Sequence, residues 1–231
     1  MARRPVYVPK KNGSLGVSDI DVEFQWVPGM SICQKQKSIA SLHGAALERD
    51  ISPVLEISSK SEQELGVSLS AFNLLITTKK QKRTFSVESA FQSSKVFQAG
   101  GPYIDLLEKT SREAKKDIRL RESGNLVRFV FFNAEFALKP RTLFYDWLYI
   151  NALNQNEELA EQALNYSGFT DIEFNPKKSI NCQAYSAALY VSLSFSSLLN
   201  DALESPSIFE EILSDVYAKR EQNYLIQGAL L

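Results

Sequence analysis

The sequence predicts one globular domain that combines strands and helices, in either the α/β or the α+β class. The chain has 231 residues, of which 44% are hydrophobic, which suits one domain with a sizeable core. Val22, Phe24 and Trp26 alternate with polar residues, as in a half-buried strand, whereas residues 140–153 form a strongly apolar helical pattern. Because no internal repeat or low-complexity linker is present, we expect no second domain.

The predicted elements follow one another closely. Strands over residues 5–9 and 20–27, a helix over 34–48 and a strand over 53–58 predict a β-α-β unit in the first quarter of the chain. Further strands are predicted over residues 67–77 and 125–132. Further helices are predicted over residues 86–97, 103–108, 112–121, 140–153, 157–165, 180–193 and 205–225.

Charge and residue counts exclude several classes of function. The formal net charge is -1, so contacts with nucleic acid would depend on local basic patches. Two cysteines, Cys33 and Cys182, argue against a disulfide framework and fit a reducing compartment. The only histidine, His43, lies in a helical pattern, and we expect it to be structural rather than part of a zinc site or a Ser-His-Asp triad.

Several motifs are absent from the chain. It has no Gly-x-Gly-x-x-Gly, Walker A, Cys-x-x-Cys or His-Glu-x-x-His sequence, which argues against dinucleotide redox enzymes, P-loop ATPases and common zinc proteins. We therefore expect neither a cofactor nor a metal. No apolar run resembles a signal peptide or is long enough to cross a bilayer, so we expect a cytoplasmic protein without membrane contact.

Two basic stretches each have two interpretations. Residues 79–83 predict a basic hairpin turn that is either solvated or steers phosphates towards the protein. Arg112, Lys115, Lys116 and Arg119 crowd one side of a helix, as a solvated surface or as an anion-binding rim.

The helix predicted after Ser86 carries the first group of candidate site residues. Ser86 is positioned to cap the helix N-terminus. Glu88, Phe91, Gln92 and Lys95 follow the spacing i, i+3, i+4 and i+7, which places them on one helical face. That face is either an exposed, salt-bridged surface or one wall of a site, and Phe91 argues against full exposure.

Three blocks, taken in order, resemble the NADAR superfamily, named for its association with NAD and ADP-ribose. They are Leu-Ser-Ala-Phe-Asn at residues 69–73, Val-Glu-Ser-Ala-Phe-Gln-Ser-Ser-Lys at 87–95, and the stretch from 145 to 184. Ser89 stands where many members have His. Asp171 is followed by Phe174 without the usual Trp-Gly pair. This departure and the N-terminal residues 1–65 resemble the NADAR antitoxins paired with guanine-specific, DarT-type DNA ADP-ribosyltransferase toxins.

The resemblance implies a compact α+β domain, mainly helices around a small sheet, with the β-α-β unit as an N-terminal extension. The catalytic core would span residues 66–200 and a helical tail 201–231. The implied activity is that of an ADP-ribosyl glycohydrolase, which removes ADP-ribose from guanine bases in DNA and acts as an antitoxin. ADP-ribosylated DNA would be the substrate, ADP-ribose the product, and the cognate toxin a further partner. Two alternatives remain, an N-glycosidase for a small N-riboside and a non-catalytic protein that binds ADP-ribose or the toxin.

The family positions imply roles for individual residues. Cleavage of a ribosyl–nitrogen bond develops positive charge at the anomeric carbon, which a nearby carboxylate stabilises. Glu88 and Asp171 are the expected carboxylates. Lys95 has two interpretations, as a cation that neutralises a phosphate or as an amine that attacks the anomeric carbon.

The remaining candidates would bind the substrate. Asn73, Gln92 and Asn181 offer amides for ribose hydroxyls or the base edge. Phe97, Phe174 and Trp147 offer rings for stacking on a base, although Trp147 is equally suited to core packing. We expect the pyrophosphate and the DNA backbone to contact cationic residues, Arg112, Lys115 and Arg119 for the former and Lys177 and Lys178 for the latter.

Overall fold

Three small sheets and a larger set of helices make up the described part of the chain, residues 1–78, 82–175 and 179–229 of a computed structural model. The architecture is α+β. The strands are β1 (Ala2–Pro9), β2 (Val17–Phe24), β3 (Val54–Glu56), β4 (Leu75–Thr77), β5 (Thr84–Ser86), β6 (Lys95–Phe97), β7 (Leu126–Phe131), β8 (Ala134–Phe136) and β9 (Gly168–Thr170).

Helices fill most of the intervals between these strands. They are α1 (Ile32–Leu47), α2 (Glu64–Ser68), α3 (Val87–Ser93), α4 (Ser111–Lys116), α5 (Arg119–Glu122), α6 (Leu143–Gln155), α7 (Glu157–Ala163), α8 (Gln183–Phe195), α9 (Leu199–Ala202), α10 (Pro206–Ile212) and α11 (Ser214–Ala229). A short 3-10 helix spans Ile104–Glu108. Within the described ranges, no helix is long and apolar enough to cross a membrane.

The largest sheet joins the N-terminal segment to a distant strand. Its order is β2-β1-β9-β3, with β1 antiparallel to β2 and to β9, and β3 parallel to β9. Leu55 of β3 is in register with Phe169 of β9. The predicted strands and helix of the β-α-β unit are therefore present, but β1 and β9 lie between β2 and β3. The first 65 residues share one sheet with residues 168–170.

Several sequence predictions are wrong in part. The helices predicted over 112–121 and 205–225 are each divided in two, the first into α4 and α5 and the second into α10 and α11. The strand predicted over 67–77 is a strand only at β4, because α2 and a turn occupy the residues before it. In that turn the backbone N–H groups of Asn73 and Leu74 both donate to the Ser70 carbonyl. The helix predicted over 86–97 ends at Ser93. Residues 95–97 instead form β6, which pairs antiparallel with β7. Pairing with β7, a strand distant in the sequence, outweighs the local helical pattern of residues 95–97.

Two hydrophobic cores lie against the largest sheet. The larger contains the rings of Phe91, Phe129, Phe144 and Tyr149, and α6 crosses it between α3 and α8. This explains why α6 is apolar on most of its surface. The smaller core includes Val6, Val22, Phe24, Leu42 and Ile172, and it lies beneath α1.

Candidate active site

A cleft of about 700 Å³ opens where α3, β7, α6, the loop after β9 and the start of α8 meet. It combines carboxylates, amides, cations and aromatic rings. Its lining comprises Ala71, Phe72, Glu88, Phe91, Gln92, Lys95, Lys115, Leu126, Phe129, Leu138, Lys139, Arg141, Tyr145, Asp171, Glu173, Phe174, Asn175, Ser179, Ile180, Asn181 and Gln183. A volume of this size suits a ligand as large as a dinucleotide fragment.

The first wall of the cleft is a hydrogen-bonded chain on α3 and β6. Lys95 Nζ donates to Gln92 Oε1 at 2.8 Å, and Gln92 Nε2 donates to Glu88 Oε1 at 2.8 Å. Gln92 therefore has a fixed orientation, with its carbonyl towards the amine and its amide towards the carboxylate. Although Lys95 lies beyond the helix end, β6 keeps it next to the α3 face.

Burial changes the chemistry of Lys95. Its pKa is lowered to about 8, mainly because the amine loses hydration; the charge of Glu88 opposes this shift, and the smaller effect of the Lys115 charge adds to it. The amine also lies over the Phe91 ring, 4.7 Å from its centroid. A lysine with this pKa has a substantial neutral fraction near physiological pH, and the neutral amine is the nucleophilic form.

Glu88 is a buried carboxylate on the same wall. It is 5% exposed, and Lys115 Nζ lies 3.6 Å from its Oε1. Lys115 belongs to α4, and its side chain is 56% exposed, so it can contact both Glu88 and a bound ligand. The Ser86 hydroxyl accepts from the Ser89 N–H and fixes the first turn of α3, which carries Glu88.

Asp171 lies on the opposite wall, in the turn directly after β9. Its Oδ1 accepts hydrogen bonds from the backbone N–H groups of Glu173 and Phe174, at 3.0 and 3.1 Å. Its Oδ2 accepts from Gln183 Nε2 at 3.0 Å. Burial raises the pKa of Asp171, the neighbouring Glu56 carboxylate raises it further, and the three hydrogen bonds oppose that shift.

Gln183 ties three segments together at the first residue of α8. Besides Asp171, its Nε2 donates to the Ile57 carbonyl at 2.7 Å, and its Oε1 accepts from the Ala71 N–H at 2.7 Å. Every polar atom of this side chain has a partner. The amide thus holds Asp171 in place relative to the turn that precedes β4.

Aromatic side chains form the floor between the two walls. Tyr145 packs edge-on against Phe91, with ring centroids 5.1 Å apart. Burial raises the pKa of Tyr145 well above its usual value, and the charges of Glu88 and Asp171 add to the shift. Phe174 lines the cleft from the β9 side.

Seven of the residues expected from the sequence line this cleft. They are Glu88, Gln92, Lys95, Lys115, Asp171, Phe174 and Asn181. The Oδ1 atom of Asn181 is buried and has no hydrogen-bond partner among the described residues. Because an unpaired buried acceptor is costly, this atom is well suited to a ligand donor.

Five expected residues lie outside the cleft lining. Asn73 Nδ2 donates to the Val67 carbonyl, Arg112 is exposed on α4, Phe97 packs against Tyr103, and Trp147 packs against Phe131 and Phe136. Arg119 is paired with Asp105 and Asp117. Residues 79–81, 177 and 178, which include much of the basic turn and the lysines expected to contact DNA, lie outside the described residues.

Several lining residues were not identified from the sequence. Tyr145 and Gln183 fall inside the family-like blocks, but nothing in their spacing indicates that they line the same cleft as Asp171. Lys139 and Arg141 are exposed cations that precede α6 and join Lys115 at the cleft. Within the described residues, His, Cys, Asp and Glu side chains form no group of three or more suited to a metal ion.

Comparison with protein families gives a match over nearly the whole chain. No curated protein matches the chain significantly. A protein-family model described as "DarT1-associated NADAR antitoxin" matches residues 2–223, which include every described residue of the cleft. The chain therefore belongs to the family of DarT1-associated NADAR antitoxins.

Proposed function

We propose that the protein is an ADP-ribosyl glycohydrolase that removes ADP-ribose from guanine bases in DNA and thereby acts as the antitoxin of a DarT1 toxin. The observation that carries this proposal is the meeting of Glu88, Asp171 and Lys95, from three separate segments, in one cleft. The family description supplies the association with DarT1.

Two carboxylates in the cleft suit the cleavage of an N-glycosidic bond. As the bond between the anomeric carbon and the guanine nitrogen lengthens, the sugar develops oxocarbenium character, and a carboxylate beside it stabilises that charge. Asp171 is the candidate for this role because hydrogen bonds from three donors fix its position. Glu88 is the candidate for the second polar group, beside Gln92.

Lys95 favours a covalent route. Its neutral amine attacks the anomeric carbon, the carbon–nitrogen bond to guanine breaks, and the guanine nitrogen takes up a proton. The sugar ring then opens to an imine on Lys95, and water hydrolyses the imine to release ADP-ribose and the free amine. In the alternative route, water attacks the anomeric carbon directly and Lys95 serves only as a cation. Both routes consume one water and yield ADP-ribose and unmodified guanine.

The rim of the cleft suits the remainder of the substrate. Lys115, Lys139 and Arg141 are exposed cations at its edge and are candidates to bind the pyrophosphate. Asn181 has an unpaired buried acceptor for a hydroxyl or amide of the ligand. Phe72 and Phe174 offer rings on which a base can stack.

An oligonucleotide bearing ADP-ribosylated guanine tests the proposal. We expect the wild-type protein to release ADP-ribose and to restore the mass of the unmodified oligonucleotide, both measured by mass spectrometry. Asp171→Ala and Glu88→Ala should each slow release at least about 100-fold, the range of a lost charge-stabilising group. Lys115→Ala should weaken binding of the oligonucleotide. The control is Lys116→Ala, which should change neither binding nor release, because Lys116 is exposed and lies outside the cleft lining.

Two other outcomes would replace the proposal. Absence of release from the oligonucleotide, together with cleavage of a free N-riboside, would identify a small-molecule N-glycosidase. Full neutralisation of the toxin by both alanine variants would identify a non-catalytic, binding antitoxin.

A further inference from the structure

Glu56 is a buried carboxylate directly behind the Asp171 turn. It is the last residue of β3 and is 2% exposed. Its Oε2 accepts from the Thr170 hydroxyl at 2.7 Å, and its Oε1 accepts from the Ile172 N–H at 2.9 Å. Glu56 therefore binds the residue before Asp171 and the residue after it.

The hydrogen bonds that lead to Glu56 all donate towards its carboxylate. Because the Thr170 hydroxyl gives its only proton to Glu56, its oxygen must accept from His43 Nε2, which lies 2.9 Å away. Burial lowers the pKa of His43 to about 4, so this histidine is neutral and carries its proton on Nε2. Burial raises the pKa of Glu56 and the charge of Glu173 adds to this rise, whereas the hydrogen bonds from Ile172, Ser58 and Thr170 stabilise the ionised carboxylate and oppose it.

Asp171 faces several other titratable or charged groups, and Glu56 is distinct among them. Tyr145, Tyr149 and Cys182 have pKa values raised by burial and are neutral near pH 7. Glu173, next to the turn, is paired with Lys35 at 3.0 Å. Glu56 has no cationic partner among the described residues, and its charge raises the pKa of Asp171, second only to burial as a cause.

We propose that Glu56 is a positioning residue for the active site: it fixes the Asp171 turn through Thr170 and Ile172 and sets a negative charge behind the Asp171 carboxylate. This inference rests on the proposed glycohydrolase function. A second carboxylate at short range makes Asp171 more basic, and a more basic carboxylate stabilises developing positive charge better. The N-terminal segment, which supplies Glu56, then forms part of the catalytic apparatus.

The variant Glu56→Gln separates charge from shape. The glutamine oxygen can accept from the Ile172 N–H, while its amide donates to Thr170. The Thr170 hydroxyl can then donate to His43, because a neutral imidazole can move its proton to the other nitrogen. The hydrogen-bond chain reverses without breaking, so we expect this variant to fold.

Two measurements compare this variant with the wild type. The first is the titration of the Asp171 side chain by carbon NMR on protein labelled at aspartate carboxyls, assigned with Asp171→Asn. The second is the pH dependence of kcat/KM on the ADP-ribosylated oligonucleotide. We expect Glu56→Gln to lower the midpoint for Asp171 by about one pH unit or more, the usual effect of a nearby like charge. The acid limb of kcat/KM should move to lower pH by a similar amount.

Two further variants distinguish positioning from general stability. Glu56→Ala removes both contacts to the turn and should lower kcat/KM at least about 10-fold at every pH. Ser192→Ala removes two hydrogen bonds of the N-terminal segment, a buried one from the Gly16 N–H and a partly buried one to the Lys10 carbonyl, neither of which involves the Asp171 turn. It should leave the Asp171 titration and the pH profile unchanged.

The inference and the proposed function fail separately. An active wild type with the same Asp171 midpoint and pH profile as Glu56→Gln would overturn the role of Glu56. A wild type that releases no ADP-ribose would overturn the proposed function, and with it the catalytic meaning of Glu56. A lowered Asp171 midpoint in Glu56→Gln would in that case still support the electrostatic coupling of the two carboxylates.

Discussion

Single residues in the cleft owe their chemistry to burial and to fixed neighbours. Lys95 loses hydration and becomes a better nucleophile, while Asp171 loses hydration and becomes a better base. The two shifts have opposite signs because burial disfavours the charged form of each group. Gln92 and Gln183 hold one member each by hydrogen bonds of 2.8 and 3.0 Å.

Lys95 is expected to make the reaction sensitive to pH. Because the pKa of its amine is lowered to about 8, the neutral fraction increases as pH rises through 8, and the single-turnover rate should increase over the same interval. Borohydride added during turnover should reduce the imine and leave a stable adduct, detected as added mass on the peptide that contains Lys95. Lys95→Arg should abolish the adduct. The control variant Lys115→Arg, which replaces an exposed amine, should still form it. Active enzyme without any adduct would favour direct attack by water.

At the scale of elements, the N-terminal cap of α3 positions Glu88. Ser86 accepts from the Ser89 N–H at 3.0 Å and from the Ser111 hydroxyl at 2.7 Å, so it joins α3 to α4. We expect Ser86→Ala to lower the free energy of unfolding by about 1 kcal/mol, the usual cost of a lost cap, and also to lower kcat/KM. Urea denaturation and the oligonucleotide assay would measure the two effects.

A matched cap elsewhere provides the control. Ser205 accepts from the Ile208 N–H at 3.2 Å and caps α10, none of whose residues lines the cleft. Ser205→Ala should cost a similar amount of stability and leave kcat/KM unchanged. An equal loss of activity in both variants would mean that stability, rather than the placement of Glu88, accounts for the effect of Ser86.

The sequence predicted these elements only where interactions between near neighbours in the chain determine the structure. The Ser86 cap and the shared face of Glu88 and Gln92 follow from helical spacing, and the structure has both. The strand character of residues 95–97 depends on pairing with β7, about thirty residues later in the chain, and no local pattern indicates it. For the same reason, the sequence did not reveal that Gln183 contacts Asp171 or that Trp147 packs against Phe136.

At the scale of the whole molecule, the N-terminal segment is an integral part of the fold. β9 has β1 on one side and β3 on the other, so both strands that pair with the strand leading into Asp171 come from the first quarter of the chain. Tyr7 of β1 also belongs to the larger core, where its ring packs against Tyr185 at 5.7 Å.

Deletion of residues 1–52 should therefore unfold the protein rather than leave a folded remainder. Removal of β1, β2 and α1 exposes Phe169 and Leu55, which are fully buried in the intact chain. We expect the truncated protein to lack near-ultraviolet circular dichroism and a cooperative thermal transition. A truncated protein with a native spectrum and a sharp transition would show that residues 53–231 fold alone.

The turn after β9 inserts one side chain into each core, since Ile172 is buried in the smaller and Phe174 in the larger. Natural selection for activity consequently also acts on core residues that do not contact the substrate. An enlarged or shortened side chain at Leu42, on the buried face of α1, would tilt the turn and misplace Asp171 while the rest of the cleft stayed intact. Laboratory evolution of new substrate preferences in this family should therefore recruit changes in the N-terminal helix, far from the bound sugar.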